Sequence, residues 1–266
     1  MKRALFTGLL AAVAGILTTG IGLTGEAADL AGGMARILQD GDTTARMRMT
    51  IEPVGGGERT VLQIRSFSRR GGDSAVVLQR ILWPAARKGE AVMVRQEPGR
   101  PAGAFAWRPG QTGALEVSAT SPLWGGDLTH SDLTENFFLW PGQELVGGET
   151  IGRVNCRILE SRPAAGQSPA YGKIRSWIDP ERMVALRIVK FDKSGRPALE
   201  IEAGGITRTE GAVYLPAELT FRRTGSGTVT IIEGSGLRRE AGHPDALFDP
   251  AAMGNVAPEE KQTDKE

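Results

Sequence analysis

The sequence predicts a mainly β protein, an α+β chain dominated by one antiparallel barrel or sandwich. Apolar and polar residues alternate along many short segments, which is typical of half-buried strands. In residues 45–54, for example, Met47, Met49 and Ile51 share one face. Glycine-rich turns separate these segments at regular intervals, as sheet proteins require. Because sheets of this kind commonly form one domain even at 266 residues, a single domain is predicted.

Strands are predicted on both sides of a central segment that follows Leu123. In chain order they cover residues 45–54, 58–69, 74–83, 91–96, 105–108, 114–119, 153–162, 171–179, 183–192, 197–209, 213–223 and 228–238. The central segment contains Gly147-Gly148, which is expected to turn the chain into the strand at 153–162. Leu247 and Phe248 are expected to dock the end of the chain on the sheet.

A first helix is predicted directly before the strands. Asp29 is placed to cap it and Gly41 to end it. An apolar stripe at helical spacing runs along its length, formed by Leu30, Met34, Ile37 and Leu38. The stripe indicates that this helix packs on the sheet.

A second, short helix is predicted at residues 130–138. Thr129 and Asp132 have the spacing of a capping box at its start, and Trp140-Pro141 ends it. Leu133 and Phe137 are four residues apart, so they are expected to share one face and press the helix against the sheet as a gate.

The N-terminus predicts export. Lys2 and Arg3 precede an apolar run at 4–23, and Gly25 and Ala27 supply the small residues of a cleavage site. An uncleaved membrane anchor is the alternative. We expect a signal peptide at 1–27, one domain at 28–253, a charged disordered tail at 254–266, and a periplasmic location.

Charge and cysteine content exclude several classes of protein. The 32 Lys and Arg residues nearly balance 31 Asp and Glu residues, so no strong field would attract nucleic acid. Cys156 is the single cysteine and excludes an intramolecular disulfide. Val154 and Ile158 share its face, so Cys156 is expected to be a buried small hydrophobe.

Histidine, the commonest general base and metal ligand, occurs twice, at His130 and His243. His130 lies between Asp127 and Asp132, a spacing that suggests a metal site. We prefer the interpretation that both aspartates serve the turn and the helix start, with His130 exposed on the first turn. Nucleophile and phosphate-loop motifs are absent, so no enzyme, metal site or cofactor is predicted.

Four motifs, taken in order, carry a family resemblance. They are GGDLTHSDL at 125–133, CRILE at 156–160, YGKIRSWID at 171–179 and DKSG at 192–195. Their order and spacing resemble the outer-membrane lipoprotein-sorting, or LolA-like, proteins. Leu128 and His130 stand where an aromatic pair is more usual in the dedicated carriers, so the chain is more similar to the uncharacterised branch of that family.

The resemblance implies a curved antiparallel sheet that forms an incomplete barrel, with the two helices as its covers. It also implies a periplasmic protein that carries lipid or lipoprotein acyl chains and works with transport partners in the inner and outer membranes. A sensor of the same fold, which binds lipid or misfolded outer-membrane protein and relays to a partner, is one alternative. A structural protein with a filled core and no ligand is another.

Methionines and aromatic residues recur on the apolar strand faces, and flexible methionine suits surfaces that accept variable apolar ligands. For any one of these residues, plain core packing is the preferred explanation. Together with the resemblance, they predict an apolar binding cavity lined by Met47, Met49, Ile51, Trp83, Met93, Phe105, Trp107, Leu133 and Phe137.

Overall fold

The computed structural model describes residues 20–38, 41–164, 170–209, 213–239 and 242–254. These residues form a 13-stranded antiparallel sheet, in the order β6-β5-β4-β3-β2-β1-β13-β12-β11-β10-β9-β8-β7. The sheet curves but does not close, since β6 and β7 are its two edges. The predicted incomplete barrel is therefore confirmed. Each strand pairs with its neighbours in sequence, except that β6 and β7 do not pair with each other and β13 pairs with β1.

The elements have the following bounds. The helix is α1 (Gly20–Leu38). The strands are β1 (Gly41–Pro53), β2 (Thr60–Gly71), β3 (Ser74–Trp83), β4 (Ala91–Gln96), β5 (Gly103–Trp107), β6 (Leu115–Val117), β7 (Gly142–Ile151), β8 (Val154–Arg162), β9 (Lys173–Asp179), β10 (Val184–Phe191), β11 (Pro197–Arg208), β12 (Tyr214–Arg223) and β13 (Thr228–Arg239). Short 3₁₀ helices lie at Ala85–Arg87, His130–Leu133, Phe137–Leu139, Asp245–Phe248 and Pro250–Ala252.

One strand was not predicted. Residues Gly142–Ile151 form β7, so the expectation that Gly147-Gly148 turns the chain is wrong. The pairing with β8 shifts register between Leu145 and Gly147, and Gly147 has a φ of 153°. Glycine adopts such a φ without steric cost, so the chain passes through a bulge and remains a strand.

The first helix is longer than predicted. It starts at Gly20, and Asp29 lies inside it rather than at its cap. The helix therefore crosses the predicted cleavage site, where Ala27 is fully buried in the core. No helix in the described part of the chain is long and apolar enough to cross a membrane. The rest of the predicted signal peptide, residues 1–19, and the predicted tail beyond Gly254 lie outside the described residues.

The central segment is two short 3₁₀ helices rather than the single helix that was predicted. The capping box is present, and the backbone N–H of Thr129 donates to Asp132 Oδ2 at 2.7 Å. Leu133 and Phe137 do not share a face, because each packs into a different apolar cluster. The first 3₁₀ helix ends at Leu133, and the chain then turns so that Phe137 packs into the other cluster.

The concave face of the sheet holds both of those clusters. The first-half cluster is the core on β1–β4 and β11–β12, and includes Met49, Leu62, Ile64, Ile81, Val92, Val94 and Phe221. The second-half cluster lies under α1, and includes Ala27, Leu30, Met34, Phe137, Leu159, Ile174 and Ile178. One half of the interior is therefore filled by the side chains of the first-half cluster, and the other half is covered by α1.

The convex face of β2–β5 is covered by the C-terminal segment. Phe248 and Met253 are buried there against Leu78 and Met93, so the docking of Leu247-Phe248 occurs as expected. Cys156 is buried in a smaller convex cluster with Val154 and Ile158, also as expected, and burial raises the pKa of its thiol.

Candidate functional site

The clearest space for a ligand is an open groove between α1 and the sheet. Its volume is about 660 Å³, within the range of small-molecule sites. Apolar groups from both sides form much of its lining, with charged groups beside them. The lining residues are Glu26, Asp29, Leu30, Gly33, Arg36, Ile37, Arg157, Pro180, Met183 and Val213. We refer to this space as the α1 groove.

The shape of the α1 groove depends on a close approach between Gly33 and Met183. A Cβ atom on Gly33 would lie 2.3 Å from Met183 Cε, so a larger residue there would push the helix or the methionine away. Met183 has a φ of 52°, in the left-handed region that most side chains avoid. The turn before it is held by Asp179, whose Oδ1 accepts the N–H of Glu181 at 2.9 Å. The turn therefore directs the side chain of Met183 toward α1.

The rim of the α1 groove carries charge. Glu26 on α1 and Arg157 on β8 form an ion pair at 2.8 Å, and both side chains are about half exposed (44% and 51%). Asp29 and Arg36 lie farther along the same helix. An apolar floor with a charged rim suits an amphipathic ligand, because the apolar part is removed from water while the polar end stays at the surface.

A buried ionic cluster lies beside the second-half cluster and joins the central segment to the sheet. Asp132 accepts hydrogen bonds from Lys190 Nζ at 2.8 Å, from Arg223 Nη2 at 3.1 Å and from the Tyr171 hydroxyl at 3.0 Å. Lys190 also donates to Glu135. We call these five residues the ionic cluster.

Opposing effects set the pKa values in the ionic cluster. Burial alone would lower the pKa of Lys190, but the charges of Asp132 and Glu135 raise it above its ordinary value. Burial raises the pKa of Glu135, and Lys190 opposes that rise. Burial would also raise the pKa of Asp132, yet Lys190 and Thr129 hold it below its ordinary value. Burial raises the pKa of Tyr171 to about 12.

Asp127 anchors the same segment to the turn between β12 and β13. It is fully buried and accepts hydrogen bonds from the hydroxyls of Ser226 at 2.6 Å and Thr230 at 2.7 Å. Gly126 is required beside it, since a Cβ atom there would lie 2.7 Å from Thr230 Oγ1 and 2.8 Å from Met49 Cε. The motif GGDLTHSDL thus describes a loop that is fixed to the sheet by buried polar contacts.

His130 is buried rather than exposed, so that expectation is wrong. It is 7% exposed, and its Nδ1 lies 2.9 Å from the carbonyl oxygen of Ser118. The ring packs inward because the central segment folds back over residues 118–121. There the backbone N–H of His130 also donates to the carbonyl oxygen of Ser121. Among the described residues, no group of three or more His, Cys, Asp or Glu side chains could hold a metal ion.

Two further motifs meet on the convex face. Glu160, from CRILE, is almost fully buried and accepts hydrogen bonds from Lys173 at 3.2 Å and Arg175 at 2.7 Å, both from YGKIRSWID. These charges hold the pKa of Glu160 below its ordinary value against the opposing effect of burial. The contacts join β8 to β9 and face away from the α1 groove.

The structure does not bring the nine predicted lining residues together. Met47, Met49, Ile51 and Leu133 belong to the first-half cluster, and Phe137 belongs to the second-half cluster. The cluster under the C-terminal segment contains Met93, Phe105 and Trp107. Trp83 is 49% exposed. None of the nine lines the α1 groove, because alternation along a strand identifies a face but not which face is concave.

Sequence reasoning missed the residues that shape both features. Lys190, Glu135 and Arg223 of the ionic cluster were not predicted, nor were Gly33 and Met183 of the α1 groove. One signal was available for Lys190, which follows Ile188 by two residues and so shares its inward face. A lysine on an apolar strand face indicates a buried partner.

The chain is similar to known proteins in both sequence and fold. A family model described only as an uncharacterised protein family matches residues 71–255. A DUF1329 family protein from Desulfovibrio piger has a similar fold, with a TM-score of 0.78, 21% identity, and coverage of 87% of this chain and 99% of that one. No curated protein sequence matches the chain.

Two further solved structures have a similar fold. A putative outer membrane lipoprotein-sorting protein domain from Vibrio parahaemolyticus has a TM-score of 0.75 and 17% identity, and covers 86% of this chain and 99% of that one. A LolA superfamily protein from Nitrosomonas europaea has a TM-score of 0.68 and 17% identity, with coverage of 84% and 97%. At these identities the likeness concerns the fold.

Proposed function

We propose that this chain, which belongs to the family of uncharacterised proteins whose model matches residues 71–255, is a periplasmic carrier or binding protein for lipid or lipoprotein acyl chains. Its fold likeness to lipoprotein-sorting and LolA superfamily structures supports the proposal. Its ligand would lie in the α1 groove. In this proposal the signal peptide directs export, and its removal after Ala27 takes Glu26 from the rim but leaves Asp29, Arg36 and Arg157 there. Partners at the inner and outer membranes then deliver and receive the ligand.

The observation that carries the proposal is the α1 groove itself. Leu30, Ile37 and Met183 offer an apolar surface that is open to a ligand, next to a charged rim. Each methylene group removed from water contributes about 0.8 kcal/mol, so a chain of several methylenes would bind without any specific polar contact. The rim would then face the polar end of the ligand.

Met183→Asn tests the groove with little risk to the fold. Asparagine tolerates the left-handed backbone conformation that Met183 adopts, so the turn is retained. Its amide would place unpaired polar atoms on the apolar floor. We expect binding of a fluorescent fatty acid to the delipidated protein to weaken about 10-fold or more, and the free energy of unfolding to change by no more than about 1 kcal/mol.

Leu139→Asn is the matched control. Leu139 is also a partly exposed apolar residue (37%), but it does not line the α1 groove. This variant should bind the probe as the wild type does. If Met183→Asn also binds normally, the ligand does not occupy the groove. If the delipidated wild-type protein binds no acyl probe at micromolar concentration, the carrier proposal fails and the filled-core interpretation replaces it.

A further inference from the structure

Three large apolar side chains are exposed at one end of the sheet. Val54 is 69% exposed, Trp83 49% and Leu115 59%. Val54 follows β1, Trp83 ends β3 and Leu115 begins β6. In an antiparallel sheet the ends of odd strands and the starts of even strands meet at the same side, so the three residues lie along one end of the first half of the sheet.

Val54 begins the turn at 54–59, Trp83 precedes the turn at 84–90 and Leu115 follows the turn at 108–114. These three turns, with Trp83 and Leu115, form one surface, which we call the basic end. The second and third turns are in contact, since a Cβ atom on Gly89 would lie 3.2 Å from Pro109 Cγ. The first turn is held to the neighbouring β12–β13 turn by a hydrogen bond from Val54 N to Gly227 O at 2.8 Å. Trp83 pairs with Gln63 on β2, which connects the first turn to the second.

Charge at the basic end is predominantly positive. Its turns contain four basic side chains (Arg59, Arg87, Lys88 and Arg108) and two acidic ones (Glu58 and Glu90). Arg87 pairs with Glu90 at 2.9 Å, which removes one charge of each sign. Arg59, Lys88 and Arg108 are all exposed. The exposed acidic side chains near them in sequence are Glu58 in the first turn and Glu116 directly after Leu115, so the basic residues remain in excess.

We propose that the basic end binds an anionic membrane surface. Exposed tryptophan and aliphatic side chains lower their free energy in the headgroup region, and lysine and arginine attract anionic lipids by about 1 kcal/mol each. The combination of Trp83, Val54 and Leu115 with three exposed cations matches both requirements.

The surface is independent of the α1 groove. Met183 and Val213 line the groove and precede β10 and β12, at the opposite end of the strands from the basic end. A protein docked by its basic end would therefore keep the groove open. Membrane binding and acyl binding can each fail without the other.

Vesicle flotation tests the proposal. We expect wild-type protein to float with vesicles of phosphatidylcholine and phosphatidylglycerol, and not with phosphatidylcholine alone. The triple variant Arg59→Glu, Lys88→Glu, Arg108→Glu should lower the partition coefficient about 100-fold or more, since each cation contributes about fivefold. Raising the salt concentration should weaken wild-type binding, because it screens exposed charges.

The matched control reverses three exposed arginines at the other end of the strands, Arg153, Arg208 and Arg238. It changes the net charge by the same amount and should still float. All variants keep the same N-terminus, so residues 1–19 contribute equally. Equal loss in both triple variants would indicate general charge attraction and overturn the proposal, as would a wild-type protein that does not float.

Quenching by brominated lipids tests whether Trp83 enters the headgroup region. We expect anionic brominated vesicles to quench part of the wild-type tryptophan fluorescence, and Trp83→Phe to lower that quenching while the protein still floats. Trp107, which ends β5 beside the third turn, would account for the remainder. Quenching that is unchanged in Trp83→Phe would keep Trp83 out of the headgroup region and contradict the proposal. The variant Met183→Asn, which places polar atoms on the floor of the α1 groove, should float normally.

Discussion

The two covers of the concave face are held by different forces. The helix α1 rests on the second-half cluster through apolar side chains such as Leu30 and Met34, and its ion pair, Glu26 with Arg157, is half exposed. The central segment is held by the ionic cluster, in which Lys190 and Asp132 are 4% and 2% exposed. Arg70 adds a hydrogen bond to the carbonyl of Leu133 at 2.5 Å.

The magnitudes of these interactions indicate which cover can move. An exposed ion pair contributes about 0–1 kcal/mol, and apolar contacts are non-directional, so α1 can shift without leaving a buried charge unpaired. Lifting the central segment would separate buried charges, which costs about 3–5 kcal/mol when one partner is lost. We infer that α1, rather than the central segment, is the movable cover of the groove.

Removing the cation at the centre of the ionic cluster should have the largest effect. Lys190→Met leaves Asp132 and Glu135 buried without their shared partner, and we expect a loss of about 3–5 kcal/mol of unfolding free energy in urea. The control is Arg187→Met on the same strand, whose pair with Glu200 is 35% exposed on both sides and should cost about 1 kcal/mol or less. Similar losses in the two variants would mean that the central segment is not held by charge.

The alkaline limit of stability should depend on Tyr171. Burial raises the pKa of its phenol to about 12, above its ordinary value of 10.0, so the unfolded chain loses this proton first as the pH rises. The stabilisation from the protonated phenol is complete below about pH 10 and is lost between about pH 10 and 12. The raised pKa of Lys190 acts in the same direction.

Urea unfolding of wild-type and Tyr171→Phe protein across that range measures the effect. We expect the variant to lose stability less steeply, by up to about 1.4 kcal/mol per pH unit. Tyr214→Phe is the control, because the Tyr214 ring lies under the Arg182 guanidinium at 5.9 Å, outside the ionic cluster. Identical slopes for wild type and Tyr171→Phe would contradict the buried, protonated phenol.

The smallest effect is expected at the contact between α1 and the sheet. Gly33→Leu displaces the methyl end of the flexible Met183 side chain, so it should cost about 1 kcal/mol or less while weakening acyl binding. Gly32→Leu is the matched control, since a Cβ atom there meets only the end of the Arg36 side chain at 3.6 Å, and leucine favours helix over glycine. If Gly33→Leu and Gly32→Leu have the same stability and bind the probe equally, α1 does not pack against Met183.

Much of the sheet could be predicted from local patterns. The bounds of β3 and β4 match the prediction, and the other predicted strands are off by only a few residues at either end. The strand β7 was missed because two consecutive glycines indicate a turn, and only pairing with β8 shows that they form a bulge. The central segment was predicted as one helix because Leu133 and Phe137 have helical spacing, which does not reveal that they pack into separate clusters.

The sequence by itself determined the fold class, the positions of most strands along the chain, the start signal at Thr129 and Asp132, and the family resemblance, because each depends on residues close together in the chain. Only the tertiary structure decided which face of the sheet is concave, that Lys190 pairs with Asp132 and Glu135, and that α1 packs against Met183. These contacts join residues 55 to 150 positions apart, and nothing in local alternation specifies which distant strand brings the partner. The position of the groove therefore depends on the curvature of the sheet and on strand pairing. The alternation of apolar residues along each strand does not specify it.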